Sequence, residues 1–593
     1  MVLRGPGLFP GSGRMLKHLA AFVVLSTLAA CSGGPDGLKS TSAEDAAMTN
    51  ARLGSRAGNY LAGRFAQNRH DMPAASAYLL RALAIDPDNT ELLQRAYLAL
   101  AVQGNLSDSA VVAQRLLRYD REAAVAAMLL AEQDMKAGDY SSAERRVSQL
   151  PRRGLNSFMV PVIIAWARVG QGSYDSALEA LQPLSQVSGF AALHDFHAAL
   201  INDMADRRKA ADQAYRNVMA GNGGLTLRSV ETAASFYRRI GQPDKAAEVL
   251  KRYQDAHPDS SSVMTEAPAE RPVNDAKAGL AEAFFGASGS LRQGNAPELA
   301  LIFGRLALDL NPNMPLAQLS VGDLLQSLGL LTDANAMYAT IDPASAASWS
   351  ARLRMAANQD DLGQTDDAVS TLEGLAAQNP QRTEPLITLG DVLRRHKRWA
   401  EAVVAYDRAL ALIPNPPKAA WGLFYARGIS LERSKNWTRA ESDFLKALEM
   451  EPDEPYVLNY LGYSWIEQGI NLDQARRMIE KAVQQRPTDG FIVDSLGWVL
   501  FRSGDYGRAV QFLQRAVELH PEDATLNDHL GDALWRVGRL QEARFQWQRA
   551  LISNPEEDQK EQLHRKLQNG LPAIPTTGKP GAHLPSRKAP AQQ

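Results

Sequence analysis

Residues 490–555 read GFIVDSLGWVLFRSGDYGRAVQFLQRAVELHPEDATLNDHLGDALWRVGRLQEARFQWQRALISNP. One pattern occurs twice in this stretch: Gly497, Ala509, Ala516 and Pro521, then Gly531, Ala543, Ala550 and Pro555. The same residue types recur upstream at Gly390, Ala402, Ala409 and Pro414, then at Gly428, Ala440, Ala447 and Pro452. They recur again at Gly462, Ala475, Ala482 and Pro487. A period of about 34 residues is the mark of stacked helix–turn–helix units, each too small to bury its own apolar face. Small residues are needed where two helices touch, because a larger side chain would push the backbones apart. Proline fits the boundary because it cannot continue a helix but can open the next one. The chain is therefore expected to be all-α.

Extended outward, the phase runs through fourteen alanines. They are Ala75, Ala110, Ala143, Ala177, Ala211 and Ala246, then Ala300, Ala334, Ala368, Ala402, Ala440, Ala475, Ala509 and Ala543. Steps within each group are 33 to 35 residues, except one of 38 between Ala402 and Ala440. This predicts about 14 repeats in two arrays. An aromatic residue follows in the second helix at Tyr406, Phe444, Phe512 (displaced by one) and Trp547. The step of 54 between Ala246 and Ala300 contains the stretch Pro258–Gly279, with Pro258, Pro268, Pro272 and a run of three serines. It reads either as a hinge between arrays or as a loop on one continuous superhelix. The expected organisation is a degenerate array over 56–258, a linker over 259–279, a second array over 280–555, a capping helix over 556–570 and a disordered tail over 571–593. A solenoid can reach 593 residues without one large core, since each repeat contacts only its neighbours.

The 64 basic and 66 acidic residues give a formal charge of −2, which does not suit a nucleic-acid binder. The single cysteine, Cys31, rules out an intrachain disulfide and a cysteine metal site. It follows Arg14, Lys17 and the apolar run Leu19–Ala30, which at 12 residues is too short to span a bilayer. Residues 1–30 thus read as a secretory signal. Leu28-Ala29-Ala30-Cys31 resembles the bacterial lipoprotein box, which implies lipidation of Cys31. Met15 would begin a signal of more usual length. Ser32 after the cysteine is the residue that, in such lipoproteins, favours the outer membrane. Residues 31–55 then form the lipidated cysteine and a flexible tether.

Catalytic chemistry finds little support. His194 and His197 share a helical face at i and i+3, but no third ligand is near in sequence. His520 and His529 flank a repeat turn and read as structural. Asp494, Ser495, Asp528 and His529 contain the residue types of a hydrolytic set without a nucleophile elbow. There is no phosphate loop between a strand and a helix. No enzyme activity, cofactor, metal or small-molecule substrate is expected.

The Gly…Ala…Ala…Pro spacing resembles the tetratricopeptide repeat. In that family the first helix of each repeat lines a concave groove. With the signature glycine as position 8, position 5 is occupied by Tyr425, Asn459, Asp494 and Asp528, and position 9 by Ile429, Tyr463, Trp498 and Asp532. Position 13 supplies Arg395, Arg433, Arg502 and Arg536. Polar side chains there could hold an extended peptide, with arginines for carboxylates. Tyr463 and Trp498 either anchor a partner or fill the repeat stack. Gly462, Ala475, Gly497, Ala509, Gly531 and Ala543 are expected to be structural. The run from Leu458-Asn459-Tyr460-Leu461-Gly462-Tyr463 through Asp494-Ser495-Leu496-Gly497-Trp498 to Trp535 resembles large tetratricopeptide lipoproteins of Gram-negative envelopes. Some of these tether a periplasmic carboxyl-terminal processing protease and deliver peptidoglycan hydrolases to it. The resemblance implies a periplasmic adaptor on the outer membrane. A structural component of an envelope export or polysaccharide-secretion complex is the alternative.

Overall fold

A computed structural model describes residues 54–187, 189–220, 226–257 and 268–572, and these form 29 α-helices with no strand among them. The signal, Cys31, most of the tether, residues 258–267 at the start of the linker region and the tail beyond residue 572 lie outside the described residues.

The chain divides into two compact units at Gln364/Thr365. The first begins with six hairpins. They are α1 (Arg56–Asn68) with α2 (Met72–Ile85), α3 (Thr90–Gln103) with α4 (Leu106–Leu116), and α5 (Ala124–Ala137) with α6 (Tyr140–Ser148). Then come α7 (Asn156–Gly170) with α8 (Tyr174–Ser185), α9 (Ala191–Met204) with α10 (Arg208–Ala220), and α11 (Leu227–Arg239) with α12 (Pro243–Ala256). It ends with α13 (Ala276–Gln293), α14 (Pro297–Leu310), α15 (Pro315–Ser327), α16 (Leu331–Tyr338) and α17 (Ala346–Asp361).

The second unit opens with α18 (Thr365–Gln378), α19 (Glu384–Arg395), α20 (Trp399–Ala411), α21 (Trp421–Arg433) and α22 (Trp437–Met450). It continues with α23 (Pro455–Gln468), α24 (Leu472–Gln485), α25 (Gly490–Arg502), α26 (Tyr506–Leu519), α27 (Ala524–Arg536) and α28 (Leu540–Ile552). The closing helix is α29 (Glu557–Asn569).

Local chemistry sets these boundaries. Asp489 and Asp523 accept hydrogen bonds from the free amides of Ile492 (3.2 Å) and Leu526 (2.9 Å), starting α25 and α27. Gly504 and Gly538, both at φ 83°, occupy the left-handed conformation that turns each of these helices back on its partner. Within each hairpin the signature glycine lets the second helix approach. A Cβ on Gly531 would lie 2.5 Å from the Trp547 ring, and one on Gly390 would lie 2.4 Å from Tyr406.

Thirteen of the fourteen phased alanines are buried, and Ala110 is not. Its expected place is taken by Ser109, which is fully buried and donates to the Tyr97 carbonyl at 2.7 Å. The register from Ala75 through Ser109 to Ala143 is then an even 34 residues. The contact requires a small side chain, which serine supplies once its hydroxyl has an acceptor. The aromatic position needs a similar correction. Leu513 is the residue that packs on Gly497, with Phe512 only half-buried.

The expected break at 259–279 is not where the units divide. Helix α13 packs against α7, with Gly279 so close to Trp166 that a Cβ would lie 2.2 Å from its ring. Arg228 of α11 donates to Glu282 of α13 at 3.0 Å, and Lys277 donates to the Lys136 carbonyl at 2.8 Å. Helix α14 packs on α3 and α5, where Lys136 pairs with Asp309 at 2.8 Å. The chain after the linker therefore folds back onto the first helices of the earlier hairpins. Ala300 and Ala334, assigned to the second array by spacing, lie in the first unit.

Candidate functional site

The groove residues expected from position counting all lie in the second unit, on α19, α21, α23, α25 and α27. Asn459, Tyr463, Asp494, Trp498 and Asp528 are buried, while Tyr425, Arg502 and Arg536 are partly buried. Two of the contacts between repeats, Asp494–His529 and Tyr425–Tyr460, follow from repeat geometry. Position 5 of one repeat meets position 6 of the next, because consecutive first helices lie side by side.

Asp494 shows this most clearly. Its carboxylate lies 2.9 Å from His529 Nδ1 on the following first helix, and both side chains are sealed from solvent. Burial raises the Asp494 carboxyl above the usual carboxylate range, against the opposing pull of His529. The imidazole stacks on Trp498 with centroids 4.0 Å apart, and Trp498 also stacks on Phe501 at 4.8 Å. Trp498 donates its indole N–H to Glu467 at 2.7 Å, and Arg502 donates to the same carboxylate at 3.1 Å. Asp528 is bound by the ammonium of Lys566 from α29, which also holds Asp532. Asp532 in turn accepts from the Trp547 indole at 2.9 Å. At the other end, Tyr425 meets Tyr460 edge to face at 6.0 Å, and burial raises its phenol pKa.

Asp494 and Asp528 are thus internal acceptors, Asp494 hydrogen-bonded to His529 of the next first helix and Asp528 held by Lys566 of the closing helix. The expectation that they stand open toward a groove is corrected by their burial and partners. Buried carboxylates need such pairing, since an isolated buried charge is costly. The aromatic pair resolves the same way, with Tyr463 and Trp498 filling the stack. Arg502 is committed to Glu467, and Arg536 donates to the Pro572 carbonyl at 2.8 Å.

Two partners escaped sequence reasoning, Glu467 and Lys566, and Asp532, counted as a groove residue at position 9, is instead the acceptor for Trp547. For Asp532 a signal exists. An acid directly after the signature glycine accepts from the aromatic residue fifteen positions later in Asp323–Tyr338 (2.8 Å), Asp391–Tyr406 (2.7 Å) and Asp532–Trp547 (2.9 Å). Where the second-helix residue has no polar hydrogen, as at Phe444, Ile479 and Leu513, the residue after glycine is Ile429, Tyr463 or Trp498.

The residues weighed for chemistry are also placed. His197 is buried and accepts the Trp166 indole N–H at 3.1 Å, and burial lowers its pKa to about 3. His194 pairs with its neighbour Asp195. Ser495 donates to the Phe491 carbonyl at 3.0 Å, so its hydroxyl takes no part in the Asp494–His529 pair. Among the described residues no group of three or more His, Cys, Asp or Glu is placed to hold a metal ion.

Tetratricopeptide-repeat profiles match residues 353–419, 425–490 and 495–559, and a second profile of the same class matches 231–260. These stretches are tetratricopeptide repeats, and the fold is a tetratricopeptide-repeat superhelical solenoid. The chain is 26% identical over 151 residues to the TPR repeat-containing protein PA4667 of Pseudomonas aeruginosa, covering 25% of each chain. It is 30% identical over 122 residues to the cytochrome c-type biogenesis protein CycH of Rhizobium meliloti, covering 20% of this chain and 31% of that one. The matches span about a quarter to a third of these relatives' own length. Among solved structures, a chain of the APC/C hetero-tetramer Cut9–Hcn1 is 14% identical, with 88% and 98% of the two chains covered and a TM-score of 0.37. Yeast Tom70 is 12% identical, with 87% and 95% covered and a TM-score of 0.30.

Proposed function

We propose that this protein is a lipid-anchored scaffold that recruits protein partners at the periplasmic face of the outer membrane. The repeat array carries the reading. Helical repeats offer extended surface for protein contact, and arrays of this class serve as interaction scaffolds. Cys31 within its signal context supports anchoring, and a thiol used for lipid accounts for the presence of one cysteine in 593 residues. More than one acyl chain is needed for stable attachment, as each buried CH₂ contributes about 0.8 kcal/mol. The resemblance in residues 458–535 favours an adaptor for a periplasmic processing protease and cell-wall hydrolases. Partner contacts fall to surfaces other than Asp494 and Asp528, whose bonding capacity is used internally.

The test is affinity purification of the tagged, membrane-bound chain from its own envelope, with a Cys31→Ser control. A processing protease with wall hydrolases among the captured proteins, lost or reduced in the control, is the expected result. Capture of export or polysaccharide-assembly components would favour the alternative function. A chain that captures no protein would contradict the scaffold reading.

A further inference from the structure

The first helices of the second unit are sealed on a side that their packing partners leave uncovered. Every residue from 457 to 466 of α23, from 492 to 501 of α25 and from 526 to 534 of α27 is buried. The helices that pack extensively on α25 are its hairpin partner α26, the preceding α24, and the flanking first helices α23 and α27. These take up its flanks and its outward side. The remaining side is the concave one, where positions 9 and 12 place Trp498 and Phe501, only 4% and 5% exposed. Tyr463 on α23 is buried in the same row. Large rings on an uncovered concave side would stay partly open to water, so a further segment of chain covers them.

The chain itself leads into that side. After α29, Gly570 at φ 70° brings the backbone against Trp535 so closely that no Cβ would fit beside the ring. Leu571 packs on the core of the second unit, and Arg536 donates to the Pro572 carbonyl at 2.8 Å. Trp535 and Arg536 are positions 12 and 13 of the last repeat, so residue 572 stands at the mouth of the concave face. Residues 573–593 follow, AIPTTGKPGAHLPSRKAPAQQ, with Pro575, Pro580, Pro585 and Pro590 and the apolar Ile574 and Leu584. Proline-rich segments dock in aromatic-lined grooves in an extended form of about 3.1 Å per residue. At that rise the 21 residues from 573 to 593 reach roughly 65 Å. Neighbouring first helices about 10 Å apart would place α19 roughly 40 Å from α27, within that reach.

We propose that residues 573–593 lie along the concave face of the second unit, across Trp535, Phe501, Trp498 and Tyr463, and occupy it in place of a partner. The inference deepens the scaffold reading and rests on it for its regulatory meaning. An extended apolar segment of a partner protein would enter this face only by displacing the tail. A tethered segment competes at an effective concentration on the order of millimolar, so the face admits only a tight binder or one that draws the tail away.

The experiment uses the full chain carrying Cys31→Ser and Ala582→Cys, labelled at its one thiol with a benzophenone and irradiated. Cross-linked peptides should come from α21, α23 and α25 of the same chain. Ile574→Glu/Leu584→Glu should reduce those products severalfold while circular dichroism stays unchanged, as both residues lie outside the repeats. In a second arm, a fluorescent peptide of residues 573–593 is added to the chain ending at Pro572 and to the full chain. It should bind the shortened chain, and the full chain at least about tenfold more weakly, because there the face is already occupied. Circular dichroism shows whether the shortened chain is folded, and if it is not, the cross-links on the full chain decide. Cross-links confined to other parts of the chain, to its N-terminal segment or to a second copy would overturn the proposal. So would products undiminished by Ile574→Glu/Leu584→Glu, or a peptide that binds both folded chains equally or neither. Neither readout involves a partner protein, so failure here is distinct from failure of the scaffold reading, which envelope capture tests.

Discussion

Ser109 and Ala110 show what a repeat position demands of a side chain. The buried contact between the two helices of a hairpin admits a side chain of one or two heavy atoms. Alanine fills it at thirteen of the fourteen phased positions, and at the other the small residue is Ser109, bonded to the Tyr97 carbonyl. Ser109→Leu should therefore overpack the hairpin and cost about 1–3 kcal/mol, whereas Ala110→Leu should change stability little. Thermal unfolding of the two variants side by side checks this, and equal losses would contradict the register. Most of this scale was legible, since the demand for a small residue leaves a mark every 34 residues. The misassignment arose from following alanine as a letter. Volume was the physical requirement, and counting serine as small would have found it.

At the scale of elements, polar residues on first helices hold neighbouring repeats together. The acid after the signature glycine and the donor fifteen residues later form a within-hairpin pair readable from sequence alone. The link between hairpins was less legible. Pairing of Asp494 with His529 depends on helices 35 residues apart lying side by side, which no local pattern states. Glu132 on α5 gives another such link, to α14. It is buried beside Asp309, with Gln133 and Lys136 nearby, and its pKa is pushed up to about 9 by burial and then by Asp309. The folded protein thus holds a proton there that the unfolded chain releases above about pH 4.5. The associated stability is full below that pH and is lost as pH rises toward about 9. Glu132→Gln should flatten this dependence and stabilise the first unit by on the order of 1 kcal/mol or more at pH 8. Unfolding midpoints between pH 5 and pH 9 report it, and a parallel pH profile in the variant would count against the assignment.

For the whole molecule, the periodicity gave the class of fold but not the partition into units. Spacing reports that hairpins follow one another, while the partition depends on where α13 and α14 settle. Gly279 against Trp166 and Arg228 with Glu282 place them on the earlier hairpins, so the interruption near residue 258 does not divide the units. The same limit applies to function. Repeat chemistry implies protein contact, yet the residues that looked most like ligand groups in the second unit are spent on its stacking. A stacking role and a partner-contact role separate most cleanly at Asp532, which accepts from Trp547 and holds Lys566 of the closing helix. The decisive measurement is thermal unfolding of full-length Asp532→Ala beside the parent chain, with partner capture measured on the folded protein. Loss of a buried partner to both a charge and an indole should cost about 3–5 kcal/mol. That lowers the midpoint of a unit this size by on the order of 10 °C while capture persists below the transition. An unchanged midpoint with capture abolished would make Asp532 a partner contact and contradict the account.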